Sequence, residues 1–310
     1  MLIRKMTEAD LPSCYRVHRM AFGTEFGLPD PMTFRGDSDV VGVRFGMYPE
    51  GCLVAEEDGE VIAFGISSRW GSVGLLGPIC VHPTHWNRGI ARQLTKHCVD
   101  LFDEWGCSAS GLLTNPTSPR HLRLYQTFGY WPRYLTVVLA RETDKAGTPV
   151  TAEDLARTER SRDTVIGDIR ALSSEAYPGL DMTTEINAVV DRKLGSVLFT
   201  YDGETLSDFA ICHSGAGSEG MSNVLFVKFG LVRPGADARA RFDRLIRNCV
   251  SHASHMGIAR VIMGTNTGRH DAYRALLDHG FRSEFQGVRM HRPMVDMFDT
   301  PGAYALDDWR

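Results

Sequence analysis

The first stretch able to do chemistry is residues 79–92, Ile-Cys-Val-His-Pro-Thr-His-Trp-Asn-Arg-Gly-Ile-Ala-Arg. A strand ending at Ile79, Cys80 and Val81 gives way to a polar turn, and a helix opens at Gly89, Ile90 and Ala91. Exposed backbone N–H groups and the positive end of a helix dipole suit a diphosphate. A glycine at a helix start is also often a plain turn, and both readings stand at this point. Arg88 and Arg92 are either a solvated helix face or phosphate contacts. No GxxxxGK[ST] is present and no GxGxxG follows this strand, so a nucleoside triphosphate or dinucleotide site is not indicated here. His252 and His255, with His270 and His279 further on, lack an accompanying carboxylate set. They read as surface histidines, and no metal site is expected.

The elements that must position this segment follow from apolar periodicity. Thr7 caps a helix reaching about Phe22, after an opening strand. Residues 23–49, rich in Gly, Pro and Asp, read as irregular or short helical structure shaping a cleft. Asp58-Gly59 between two apolar runs marks a hairpin. A strand over residues 73–81 contains no acid or histidine. In the next helix Ile90, Leu94, Cys98, Leu101, Phe102 and Trp105 share a face, and Gly106 ends it. A strand over 109–114, a helix over 118–128 and a strand over 134–140 complete a β-α-β-β-β-α-β-α-β order.

The chain then repeats. Val232, Pro234, Gly257, Asn266 and Gly280 each lie 151 residues after Val81, Pro83, Gly106, Asn115 and Gly129. One fold therefore occurs twice, as 310 residues would allow. The boundaries expected are residues 1–142, a linker at 143–163, a second copy at 164–298 and a tail at 299–310. The second copy has Ala240 for Gly89, Phe242 for Ala91 and Leu276 for Tyr125, so the chemistry is assigned to the first half.

Val81-x-Pro83 followed by Trp86-Asn87-Arg88-Gly89-Ile90-Ala91 and Leu94 resembles the acetyl-CoA signature of the GNAT superfamily, Q/R-x-x-G-x-G/A. Residues 118–130, Ser-Pro-Arg-His-Leu-Arg-Leu-Tyr-Gln-Thr-Phe-Gly-Tyr, are similar to its second motif, N-x-x-A-x-x-L-Y-x-x-x-G-F. The departures are Trp86 for Gln or Arg, Asn87 for a frequent glycine and Ser118 for Asn. The resemblance implies an α/β (α+β) fold of two GNAT-like domains, each a mixed, mostly antiparallel sheet flanked by helices. It implies acetyl-CoA as cosubstrate, held by residues 79–81 and 87–92 with Asn115, Ser118 and His121. Strands carrying Val81 and Asn115 should splay to admit the pantetheine arm. The Val81 N–H should bind the thioester oxygen and Tyr125 protonate the departing thiolate, the alternative for Tyr125 being a core aromatic beside Leu122 and Phe128. Trp86 is expected to pack on its own helix.

No general base is evident. His82, Glu25, Asp30 and the acids of the tail, Asp307 and Asp308, or its terminal carboxylate, are the candidates. The expected reaction is acetyl transfer to a primary amine, of a small molecule in the leading reading. Transfer of another acyl group, protein lysine acetylation and a non-catalytic CoA or metabolite sensor are the alternatives. A formal charge of -4 without a basic stripe argues against nucleic acid. The charged N-terminus lacks the apolar core of a signal peptide and no membrane span is visible. Seven scattered cysteines suit reduced core thiols, hence a cytoplasmic protein. Oligomeric state cannot be read from the sequence.

Overall fold

A computed structural model describes residues 1–143 and 149–309. Part of the expected linker, residues 144–148, and Arg310 with the terminal carboxylate lie outside the described residues. The chain opens with β1 (Leu2–Lys5), then α1 (Leu11–Glu25) and α2 (Val40–Met47). Strands β2 (Cys52–Glu57) and β3 (Glu60–Trp70) form the expected hairpin, with Asp58 and Gly59 both at positive φ, the geometry a two-residue turn needs. Next come β4 (Val73–Val81), α3 (Ile90–Glu104), β5 (Ala109–Thr114), α4 (Pro119–Gln126) and β6 (Trp131–Glu142). The α3 face buries Ile90, Leu94, Cys98 and Phe102 against the sheet, while Leu101 and Trp105 are half-buried at its border.

The second half begins with a short β7 (Glu153–Asp154), α5 (Arg162–Ala176) and α6 (Thr183–Asp191). It continues through β8 (Gly195–Asp202), β9 (Thr205–His213), β10 (Val224–Val232), α7 (Ala238–His255), β11 (Arg260–Asn266), α8 (His270–Asp278) and β12 (Arg282–Arg292). A last short strand, β13 (Ala305–Leu306), belongs to the tail. Residues 23–49 hold short helical structure, as expected, with Asp39 capping α2 by accepting from the Gly42 N–H at 2.6 Å. The linker region also contributes β7, paired with β8.

The repeat holds in register. β4 pairs in parallel with β5 from Val73–Ala109 to Leu75–Gly111, and β10 pairs in parallel with β11 starting at Val224–Arg260. Those are positions 151 residues apart on both strands. Gly129 and Gly280 close α4 and α8 at φ 81° and 82°, which explains two of the repeated residues as helix terminators. Asn115 and Asn266 repeat for a similar reason. Each accepts from the N–H two residues on, Thr117 and Gly268, both at 3.0 Å, and so shapes a turn.

Chain order and sheet order part company at the last strand of each half. β6 pairs with β11 along Thr136–Glu142, and β12 pairs with β5 along Ser110–Thr114. Each half thus completes its sheet beside the other's closing strand, giving one thirteen-stranded sheet in the order β1-β2-β3-β4-β5-β12-β6-β11-β10-β9-β8-β7 with β13 on β10. One hydrophobic core joins Val43, Trp70 and Val73 of the first half to Phe229, Leu231 and Phe298 of the second.

His252 is not at the surface as expected. It is buried on α7 and hydrogen-bonded to Ser196 at 2.9 Å. Among the described residues no helix is long and apolar enough to cross a membrane, and no group of three His, Cys, Asp or Glu residues could hold a metal ion.

Candidate active site

The site is a gap in the sheet. Between the Gly65–Ile79 and Ser67–Leu76 pairs, β4 carries one residue more than β3. This bulge at Gly77-Pro78 bends β4, and its pairing with β5 ends at Leu75. Arg44 on α2 donates to the Gly77 carbonyl at 2.8 Å and grips Glu219 of the second half with two 3.0 Å hydrogen bonds. Lys228 donates to the same carboxylate at 2.6 Å. Burial alone would raise the Glu219 carboxyl, but the charges of Arg44 and Lys228 outweigh it and hold the group well below the usual range.

Strand alternation decides which main-chain groups face the gap. His82 donates its N–H to the Ile62 carbonyl, so the adjacent Ala63–Val81 pair is not hydrogen-bonded and the Val81 N–H and C=O point away from β3. Ile79 shares that orientation, whereas the Cys80 main chain faces β3 and its thiol is buried in the core behind the strand. The indole N–H of Trp86 donates to the Val81 carbonyl at 2.7 Å, and the Arg120 guanidinium lies over the indole at 5.7 Å. Trp86 therefore ties the turn to the strand end instead of lying only on its helix.

Beyond Trp86 the backbone turns through Asn87 and Gly89 at φ 63° and 77°. No atom lies within 4 Å of where a Gly89 Cβ would stand, and the positive φ favours glycine. Among the described residues, the N–H groups of residues 87–92 have no acceptor. They open into a cavity of about 240 Å³ bordered by Val81, Arg88, Gly89, Ile90, Ala91 and Arg92. The Arg88 side chain grips Glu57 with two 2.8 Å hydrogen bonds. Arg120, which the sequence reading did not single out, reaches the Asn87 side chain at 3.3 Å.

A second cavity, of about 350 Å³, starts at the β4 bulge and ends against the second half. Asn115 and Tyr125 line it, while Ser118 lines neither cavity and caps α4 by accepting from the His121 N–H at 3.4 Å. Among the described residues the Tyr125 hydroxyl has no hydrogen-bond partner, and burial raises its pKa well above that of a free phenol. Glu25 and His121 are the titratable side chains that line both cavities, and burial lowers the pKa of His121, favouring the neutral ring.

The other base candidates lie elsewhere. His82 bonds Thr84 at 2.8 Å and Asp30 caps a short turn by accepting from the Met32 N–H, and neither lines a cavity. Asp307 is bound by Arg269 and Arg289. Of the tail it is Trp309, not an acid, that reaches the larger cavity.

Residues 13–130 match the acetyltransferase (GNAT) family. Over that segment the first half is similar to GNAT acetyltransferases. Solved structures share the two-half fold. A candidate acetyltransferase from Pyrococcus horikoshii is 14% identical with TM-score 0.71, the match covering 99% of this chain and 94% of that one. A GCN5-related N-acetyltransferase from Sphaerobacter thermophilus is 15% identical with TM-score 0.58, covering 94% of each chain. A tandem GNAT protein from the clavulanic acid biosynthesis pathway is 12% identical with TM-score 0.56, covering 94% of this chain and 97% of that one. No curated protein matches the chain.

The second half has the same gap, filled by its own tail. β13 pairs with β10 at Gly230 and Leu231, the counterparts of Ile79 and Cys80. Asp307 donates its N–H across to the Gly264 carbonyl of β11 at 2.9 Å. Val232, the counterpart of Val81, donates its N–H to the Tyr304 carbonyl at 3.2 Å. Helix α7 begins at Ala238, the counterpart of Asn87, so the cradle turn has become helix. Phe242 and Tyr304 close the mouth with ring centroids 5.2 Å apart.

Proposed function

We propose that the first half transfers an acetyl group from acetyl-CoA to a primary amine of a small molecule, and that the second half carries no cofactor of its own. The observation supporting this most strongly is the continuous path from the free N–H groups of residues 87–92, past the inward N–H groups of Val81 and Ile79, to the Tyr125 hydroxyl and the larger cavity. Acetyl-CoA supplies the activated thioester.

Residues 87–92 receive its diphosphate on main-chain donors, with Arg92 and Arg120 adding charge at the rim. The Val81 N–H donates to the thioester oxygen as negative charge develops, and one preorganised donor of this kind is worth about 2.7–4 kcal/mol. Tyr125, kept protonated by burial, gives its proton to the departing sulfur. The proton shed by the amine goes to Glu25 or His121, directly or through one water, because these two stand where the cavities meet. Walls drawn from both halves line the acceptor cavity, whose volume of about 350 Å³ suits a small molecule.

A thermal melt of the wild type and of Gly89→Trp, each with and without acetyl-CoA, tests this reading. At about 100 times Kd, linkage gives roughly 2.7 kcal/mol of stabilisation, on the order of 5 °C for a chain of this length. The wild type should shift and Gly89→Trp should not. Equal shifts would move the donor site elsewhere, and no shift in either would end the acetyl-transfer reading.

A further inference from the structure

The larger cavity is built for an apolar guest. Phe22, Phe26 and Phe34 of the first half stack with ring centroids 5.4–6.2 Å apart. Phe226, Phe285 and Trp309 of the second half form the opposite wall, and Phe26 meets Phe285 edge-on at 5.9 Å across the junction.

Of the carboxylates of this cavity, Glu219 is held by Arg44 and Lys228, and Glu25 lies 3.9 Å from Arg120 at the cofactor end. A polycation would have to shed its hydration with one carboxylate, Glu25, to replace it, which is unfavourable for every charge beyond the first. At about 350 Å³ the cavity is also at the small end of ligand sites, enough for one ring system and short of an oligosaccharide.

Beside the aromatic rings, the lining carries a further polar side chain, His18. His18 on α1 is 8% exposed, lies edge-on to Phe22 and Phe34 at 5.3 and 5.5 Å, and has no hydrogen-bond partner among the described residues. Burial and the nearby charges of Arg35, Arg44 and Arg19 outweigh Glu219 and hold the ring neutral, with a pKa of about 3. A neutral imidazole offers one donor and one acceptor, and a buried polar group left without a partner is uncommon.

We propose that the acceptor is a monoamine on an aromatic or similarly bulky apolar frame, with a hydroxyl or other polar substituent hydrogen-bonded to His18. The proposal rests on the acetyl-transfer reading and supplies its substrate class. The amine nitrogen lies at the junction near Glu25 and His121, the ring lies between the two aromatic walls, and the substituent reaches His18.

The test is amine-dependent release of CoA thiol by the full-length protein saturated with acetyl-CoA, together with calorimetric binding of the same amines. Phenethylamine, tyramine and tryptamine are set against putrescine, spermidine and kanamycin. The aromatic monoamines should exceed the polyamines in kcat/KM by about tenfold or more, and tyramine should exceed phenethylamine by an advantage that His18→Phe removes. Phe285→Arg, at the half-buried rim, should raise KM for the aromatic amines several-fold and leave the acetyl-CoA thermal shift intact, which keeps the test usable if His18→Phe folds poorly. A normal acetyl-CoA shift with polyamines preferred, or with no aromatic amine binding below millimolar concentration, overturns the substrate class while the transfer reading stands. Absence of the acetyl-CoA shift removes the transfer reading and this proposal with it.

Discussion

Tyr125 reaches the larger cavity from α4, and among the described residues its hydroxyl has no hydrogen-bond partner. An acid must hold its proton until the leaving sulfur needs it, and burial arranges this by disfavouring the phenolate. Replacing Tyr125 by Phe keeps the ring in its cluster with Leu122 and Phe128 and removes only the proton donor. Turnover should fall by about 10²–10⁴-fold, with the acetyl-CoA thermal shift retained. Unchanged turnover with chemistry rate-limiting would mean that the thiolate leaves unprotonated or is protonated by water. The sequence made Gly89 and Tyr125 conspicuous because a motif fixes their spacing. It left His18 and Arg120 unmarked, since a histidine on an amphipathic helix and an arginine beside a helix cap look the same whether or not a cavity lies beside them.

Elements bounded by local chemistry were the legible ones. β5 occupies residues 109–114 as expected because its apolar run is closed by an Asn turn. The 151-residue offset survives at Gly106, Gly129 and their copies because helix ends at positive φ tolerate few other residues. The exchange of β6 and β12 left no trace, since a strand's alternation is the same whichever neighbour it pairs with. The role of β13 was equally hidden, because two buried residues make no periodicity. Yet β13 fills the second gap, so calorimetry should find one acetyl-CoA per chain, and two would show that the tail can leave. Leu306 is fully buried there, and Leu306→Ala should destabilise the fold by about 2–5 kcal/mol, read as a lower denaturant midpoint with an unchanged slope.

At the scale of the molecule the two halves form one sheet and share a buried polar seam in which two histidines are kept neutral. His18 of the first half has a pKa near 3. His213 of the second, whose ring nitrogen accepts from the Glu219 N–H, has one near 4, because burial opposes its charge more than Glu219 favours it. Both would titrate near 6.5 in the unfolded chain. Below that pH the unfolded chain takes up protons that the fold excludes, and stability drops as the pH is lowered wherever the unfolded state binds more protons. Each histidine contributes about 1.36 kcal/mol per pH unit in this window, or roughly 2 kcal/mol by pH 5. Glu185 works in the opposite direction, since burial raises its carboxyl and protonation relieves it as the pH drops, so the net loss between pH 7 and 5 should be about 2–4 kcal/mol. Urea unfolding at both pH values measures it. His18→Phe removes one of these titrations and should recover roughly 2 kcal/mol of the loss, whereas equal stability of the wild type at pH 7 and 5 would mean that water or protein motion lets these rings ionise within the fold.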